Sequence, residues 1–173
     1  MVGLSWHRLL VCVAAILIAL VLSGCSPMRP APVLTTSFDP QAASFINASG
    51  RARISGQAFV RRNNGKLLRA TGTDVFLVPR TAYADERFAA LYGTGKKRLW
   101  IRGPETPPLY EQYTRKTIAT SGGSFGFDDV ADGDYYVVAM IHLPDDLLYL
   151  EFPIMERVTI EGGKSVKLVM RGY

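Results

Sequence analysis

Cysteine and histidine are scarce in this chain of 173 residues. Its two cysteines, Cys12 and Cys25, both lie near the start. Nothing after Cys25 can therefore form a disulfide, bind a metal through thiolate or attack as a thiol. Histidine is limited to His7 and His142, which excludes a histidine-rich metal site; His142 reads as a partly exposed polar residue at a strand end. Strong charge of one sign is also missing. The formal charge is +5 and the pI about 9.4, a mild excess that suits anionic headgroups or other polyanions but falls far short of a nucleic-acid-binding composition. No nucleic-acid partner is expected. Apolar runs of the ~20 residues that a membrane-crossing helix needs are absent as well.

The longest apolar run, Leu9 to Leu22, follows a short amino-terminal stretch whose firm charge is Arg8. At about 14 residues it has the length of a signal-peptide core rather than of a span. It closes on Leu22-Ser23-Gly24-Cys25. These four positions resemble the lipobox of bacterial lipoproteins. The resemblance implies that residues 1–24 are a cleaved signal peptide, that the Cys25 thiol carries diacylglycerol, and that the new amino terminus carries an N-acyl chain. Two or three acyl chains hold a protein to a bilayer stably where one holds it marginally. No other cofactor is expected. An exported chain without a free thiol also suits an oxidising compartment. In Gram-negative lipoproteins Asp after the lipidated residue is the usual signal for retention in the inner membrane. Ser26 stands there instead, so for a Gram-negative source the resemblance implies the periplasmic face of the outer membrane.

Pro27, Pro30 and Pro32 oppose helix and interior strand, and residues 25–46 read as the lipidated cysteine and a flexible tether. About 20 such residues would reach on the order of 60 Å when extended. From residue 47 to 173 the pattern is that of one domain. Ala52, Ile54, Ala58 and Val60 share one face of a strand and Arg51, Arg53, Ser55, Gln57 and Arg61 the other, until Asn63-Asn64-Gly65 turns the chain. Further strands are predicted at 74–79, 116–120, 124–127 and 135–141. The last is apolar on both faces, as a central strand would be. Strands at 156–160 and 166–170, joined by Glu161-Gly162-Gly163-Lys164, read as a hairpin. One short helix is predicted between Tyr83 and Tyr92, with Phe88 and Leu91 at helical spacing, Asp85 and Glu86 in its first turn, and Gly93-Thr94-Gly95 to stop it. Lys96 to Tyr113 reads as a long loop. About seven short strands with turns between them predict an all-β, antiparallel β-sandwich.

The order of segments resembles the carboxypeptidase regulatory-like family, a prealbumin-like (transthyretin-like) sandwich. The residues that carry it are Ile54 to Ala58, Ala70 to Pro79, Gly123-Ser124-Phe125-Gly126-Phe127, and Gly133-Asp134-Tyr135-Tyr136-Val137-Val138, followed by the closing strands. Phe125 and Phe127 are expected in the core, with Gly133 at a tight turn. An insertion at about 81–113 departs from the family pattern. The resemblance implies binding or display, not catalysis.

Three motifs invite chemical readings that their contexts weaken. Gly122-Gly123-Ser124-Phe125-Gly126 fits the nucleophile-elbow pattern, but that motif needs a helix after the serine. Asp128, Asp129, Asp132 and Asp134 suggest a calcium loop, yet an EF-hand started at Asp128 would place Val130 and Ala139 at ligand positions. Tyr92 to Arg98 looks like a phosphate loop without the required first glycine and hydroxyl. No catalytic or metal-binding residue is assigned. The aromatic group Tyr83, Phe88, Tyr92, Trp100, Tyr110 and Tyr113 is the candidate surface for a protein partner in the cell envelope, because such side chains dominate interface hot spots; the alternative is that they pack the insertion onto the sandwich. The functional expectation is a lipid-anchored, non-enzymatic binding or scaffold module. A transthyretin-like lipoprotein subunit of a secretion machine is the alternative, and a hydrolase using Ser124 a more remote one. Metabolic labelling with a radioactive fatty acid tests the anchor: the wild-type chain should take up label and Cys25→Ser should take up none.

Overall fold

The computed structural model describes residues 32–92, 104–142 and 151–172, with nothing taken from the side chains of Glu151 and Phe152. The expected signal peptide, Cys25, Gly93-Thr94-Gly95, the Lys96-Lys97-Arg98 cluster and Trp100 lie outside the described residues. Among the described residues no helix is long and apolar enough to cross a membrane.

Among the described residues eight strands form two sheets. The first contains β1 (Ala52–Arg61), β2 (Leu67–Arg69), β5 (Ser124–Val130) and β8 (Val166–Gly172). The second runs β4 (Arg115–Ile118), β3 (Asp74–Pro79), β6 (Gly133–His142), β7 (Glu151–Ile160). All pairs are antiparallel except β1 with β8, which run parallel. The expected all-β sandwich is present, with one strand, β2, that the sequence pattern did not disclose. Two short helical pieces precede it: α1 (Pro40–Ala43) continues into a 3-10 turn, Ser44–Asn47. The predicted helix is α2 (Ala82–Tyr92).

Alternation explains the layers. In β1 Ala52, Ile54, Ala58 and Val60 turn inward and are buried. They meet Val75 and Leu77 of β3, Tyr135, Val137, Ala139 and Ile141 of β6, and Ile154, Val158 and Ile160 of β7. Phe125 and Phe127 join this core as expected. The other face of the second sheet is also covered: Val78, Tyr136 and Val138 pack against Ala84 and Phe88 of α2. That is why β6 is apolar on both faces. Sheet, sheet and helix form three layers. Gly133 has φ +150, and a Cβ there would lie 2.6 Å from the Phe45 ring, so the residue that opens β6 must lack one.

The two last strands do not form the expected hairpin. β7 pairs with β6, whereas β8 crosses to the other sheet and pairs with β1, Ile54 opposite Val166 through Val60 opposite Gly172. The Glu161–Lys164 turn is held from outside itself. The Asp132 carboxylate accepts the N–H groups of Gly162 and Gly163 at 2.7 and 2.8 Å, both glycines having positive φ. Ser165 Oγ then accepts the Arg53 N–H at 2.9 Å and starts β8 beside β1.

The tether is shorter than the sequence reading made it. From Pro32 onward the stretch assigned to it lies on the domain. Asp39 caps α1 by accepting the Gln41 N–H at 2.8 Å, and Pro40 occupies the first helical position, where its missing N–H costs nothing. Ala43 and Ile46 are buried, and the Phe45 ring meets Tyr135 edge-on at 5.2 Å. The apolar residues spaced through a polar stretch close one end of the core, so this segment is a strap. Ile46→Ala should therefore cost about 2–4 kcal/mol in urea unfolding, a loss that a free tether would not show.

Candidate functional site

The outer face of the second sheet and the inner face of α2 define a region where aromatic and charged side chains converge on open space. Thr81 caps the helix, its Oγ1 accepting the Ala84 N–H at 3.2 Å. Asp85 in the first turn accepts the Tyr136 hydroxyl and the Arg80 Nε–H, the latter at 3.0 Å. Burial opposes ionisation of Asp85, but the Tyr136 hydroxyl and the Arg80 guanidinium outweigh it and hold the carboxyl below its ordinary range. The helix is thus bolted to β6 through a polar contact at one end and the Phe88–Tyr136 ring pair, 4.5 Å between centroids, further along.

Arg87 fixes the opposite wall. Its guanidinium donates to the carbonyls of Pro104 and Glu105 at 3.0 and 3.2 Å and to Thr106 Oγ1 at 2.9 Å, and lies 5.4 Å over the Tyr110 ring. The strap adds a third attachment. Glu86 accepts the Thr35 N–H and the Thr36 N–H, each at 2.7 Å, and the Thr35 hydroxyl at 2.9 Å. These bonds, the Thr35 N–H first among them, pull the Glu86 carboxyl down to about 2.

Between these walls lies a groove of about 570 Å³. Phe76, Phe88, Tyr92 and Tyr110 make its apolar side; Asp74, Glu111 and Lys116 stand at its edge. Phe88 and Tyr92 stack with 5.6 Å between centroids and 18° between planes. Burial pushes the Tyr92 hydroxyl up to about 12 and raises that of Tyr110 as well, so both act as neutral hydrogen-bonding groups. Lys116 and Asp74 pair at 3.4 Å and both remain accessible. A wall of ring faces beside paired donors and acceptors can bind a ligand with one apolar and one hydroxylated side. A second crevice, of about 800 Å³, lies where the strap passes the 104–109 segment, with Val33 and Leu109 on its rim.

The predicted aromatic group divides. Tyr83 and Phe88 are buried. Tyr83, Tyr110 and Tyr113 converge edge-on upon Phe38 of the strap, at centroid distances of 5.4–5.6 Å. Tyr92 and Tyr110 line the groove. Phe38, Phe76 and Tyr136 belong to these clusters but are not among the candidate surface residues, because their partners come from distant segments.

The tempting motifs take other roles. Ser124 opens a strand, not a helix: Thr120 N–H donates to its carbonyl at 2.8 Å, and Gly123 at φ +75 makes the turn. The strand–turn–helix setting of a nucleophile elbow is missing there. The acidic residues are spent singly: Asp128 pairs with Arg53 at 2.6 Å, Asp132 holds the glycine turn, and Asp134 accepts from the Thr159 hydroxyl. Among the described residues no group of three or more acidic, histidine or cysteine side chains could hold a metal ion. His142 ends β6, half-buried.

No family model matches the chain, and no curated protein matches it. Among solved structures, a protein from Pseudomonas aeruginosa described as a candidate carbohydrate-binding protein has a similar fold, with a TM-score of 0.66 and 21% identity. The match covers 79% of this chain and 99% of that one. At this identity the likeness establishes the fold, and the fold it establishes is the β-sandwich.

The strap contact makes a pH prediction. A carboxyl lowered to about 2 from an ordinary 4.5 stabilises the strap fully above about pH 4.5 and loses its effect as pH falls through about 2. Protection of the Thr35 and Thr36 amides, taken relative to their intrinsic exchange rates, should be high at pH 5 and fall toward pH 2, and Glu86→Gln should lower it throughout.

Proposed function

We propose that this chain is a lipid-anchored, non-catalytic binding module of the bacterial cell envelope, held at the membrane through Cys25, and that the groove under α2 takes a carbohydrate. The observation that carries the reading is the groove itself: stacked Phe88 and Tyr92 and the Tyr110 ring on one side, Asp74, Glu111 and Lys116 on the other. A sugar ring has a C–H face that packs on aromatic carbon and a rim of hydroxyls that need directed partners. The groove supplies both kinds of contact. Its walls are held rigid by Arg87, Asp85 and the strap, so little ordering is needed on binding. The similar sandwich from Pseudomonas aeruginosa, described as a candidate carbohydrate-binding protein, supports the same class of ligand. The lipobox-like Leu22-Ser23-Gly24-Cys25 supports the anchor, and Ser26 supports the outer membrane.

Screening the purified chain on a glycan array should yield retained saccharides. Titration with the best of these should show Tyr92→Ala weakening binding by about tenfold, the loss of one stacked ring, and Glu111→Gln weakening it less. An array with no retained saccharide, or equal affinity in Tyr92→Ala, would defeat the carbohydrate reading.

A further inference from the structure

Among the described residues no helix packs on the outer face of the first sheet, and its charge is of one sign at one end. Strand alternation turns Arg53, Gln57, Phe59 and Arg61 of β1 outward. The register then sets Arg69 of β2 opposite Phe59 on one side and Arg171 of β8 opposite it on the other. Neighbouring strands lie about 4.8 Å apart, which puts the two arginines about 10 Å apart across Phe59, with Arg61 about 7 Å further along the same face. The Arg171 guanidinium sits 6.0 Å over the Phe59 ring. All three arginines are exposed, and none joins a salt bridge among the described residues. The acids of these four strands, Asp128 and Asp129, stand at the far end, where Asp128 is taken by Arg53.

Like charges gathered this closely repel one another, so the cluster costs the free protein something that an anion would offset. We propose that Arg61, Arg69 and Arg171 form a second binding surface, separate from the groove, for an anionic polysaccharide. Guanidinium forks match carboxylate and phosphate oxygens in pairs, and a flat sheet face receives an extended chain of such groups better than a single small anion. Gln57 and Ser124, side by side in the next row, add neutral hydrogen bonding to the same track.

A bilayer of anionic headgroups would share this chemistry, and the strap argues against it. The strap binds Glu86 on α2, in the layer farthest from this face. Sheet spacing, helix diameter and an arginine side chain together put the arginines about 25 Å from that attachment. The ten residue steps from Cys25 to Thr35 span at most about 36 Å when taut. Laying the arginines on the bilayer would draw out about 25 Å of that length, whereas turning them away leaves it slack. This choice of occupant rests on the lipid-anchor reading; the arginine surface itself does not.

The test titrates the full chain in detergent micelles with polygalacturonate and with neutral dextran. Polygalacturonate should bind, more weakly as salt rises, and dextran should not bind at this face. The exposed triple variant Arg61→Gln/Arg69→Gln/Arg171→Gln should weaken polygalacturonate binding on the order of tenfold or more with an unchanged or higher urea midpoint. Absence of wild-type binding, or equal binding by the triple variant, would overturn the proposal. Tyr92→Ala separates the two sites: loss of polygalacturonate binding in that variant would move the ligand into the groove and overturn the second surface. Vesicles containing phosphatidylglycerol, offered to Cys25→Ser, address the bilayer. If they bind through the same three arginines more tightly than polygalacturonate does, the polysaccharide assignment falls. Failure of fatty-acid labelling at Cys25 would remove the anchor alone and leave the polygalacturonate result standing.

Discussion

Burial of β6 on both faces is the constraint on which the rest of the structure depends. Tyr135 and Tyr136 are neighbours in the chain and point to opposite layers, and both are fully buried. A tyrosine can be buried only if its hydroxyl finds a partner. Tyr135 reaches back to the Ala131 carbonyl at 2.8 Å, closing the turn before its own strand, and Tyr136 reaches Asp85 of α2. Burial pushes the Tyr135 hydroxyl up to about 12 and raises that of Tyr136, so both remain neutral donors. Among the described residues no buried side-chain polar atom lacks a partner, so hydrogen bonds offset the desolvation that closing the two layers imposes.

The groove follows from that arrangement. Because Tyr136 and Val138 need cover, α2 must lie across the second sheet, and because α2 is a cylinder on a twisted sheet it leaves a wedge along one side. Arg87 draws the 104–106 segment over the wedge, and Tyr110 comes with it. α2 and the 104–113 segment thus supply the walls, and the second sheet supplies the floor. Function is written where the two meet, which accords with the general observation that a common fold leaves the site to its additions.

The two outer faces differ for the same reason. One sheet is covered by helix, strap and insertion, so its outward residues are apolar or paired. Among the described residues no helix packs on the outer face of the other, where Arg61, Arg69 and Arg171 stand beside Leu67, Phe59 and Val169. Arg171 reaches that face only because β8 leaves β7 and runs parallel to β1. Had β7 and β8 formed a hairpin, Arg171 would lie in the other sheet, away from Arg61 and Arg69.

The sequence by itself determined which residues alternate, where turns fall, that 135–141 is a central strand and that α2 exists; each of these is a local pattern, set by periods of two or 3.6 residues and by glycine and aspartate chemistry. It also held the Asp39-Pro40 helix start that marks the strap, a signal outweighed by the prolines before it. What only the tertiary structure decided is partnership between distant segments. The Asp132 carboxylate that carries the chain across at Gly162 and Gly163, the convergence of Tyr83, Tyr110 and Tyr113 on Phe38, and the three arginines around Phe59 depend on pairings across large separations. Strand periodicity says which way a side chain points but not which strand lies beside it. That choice is made by the core when the whole chain closes on it, and the groove and the basic face are its products.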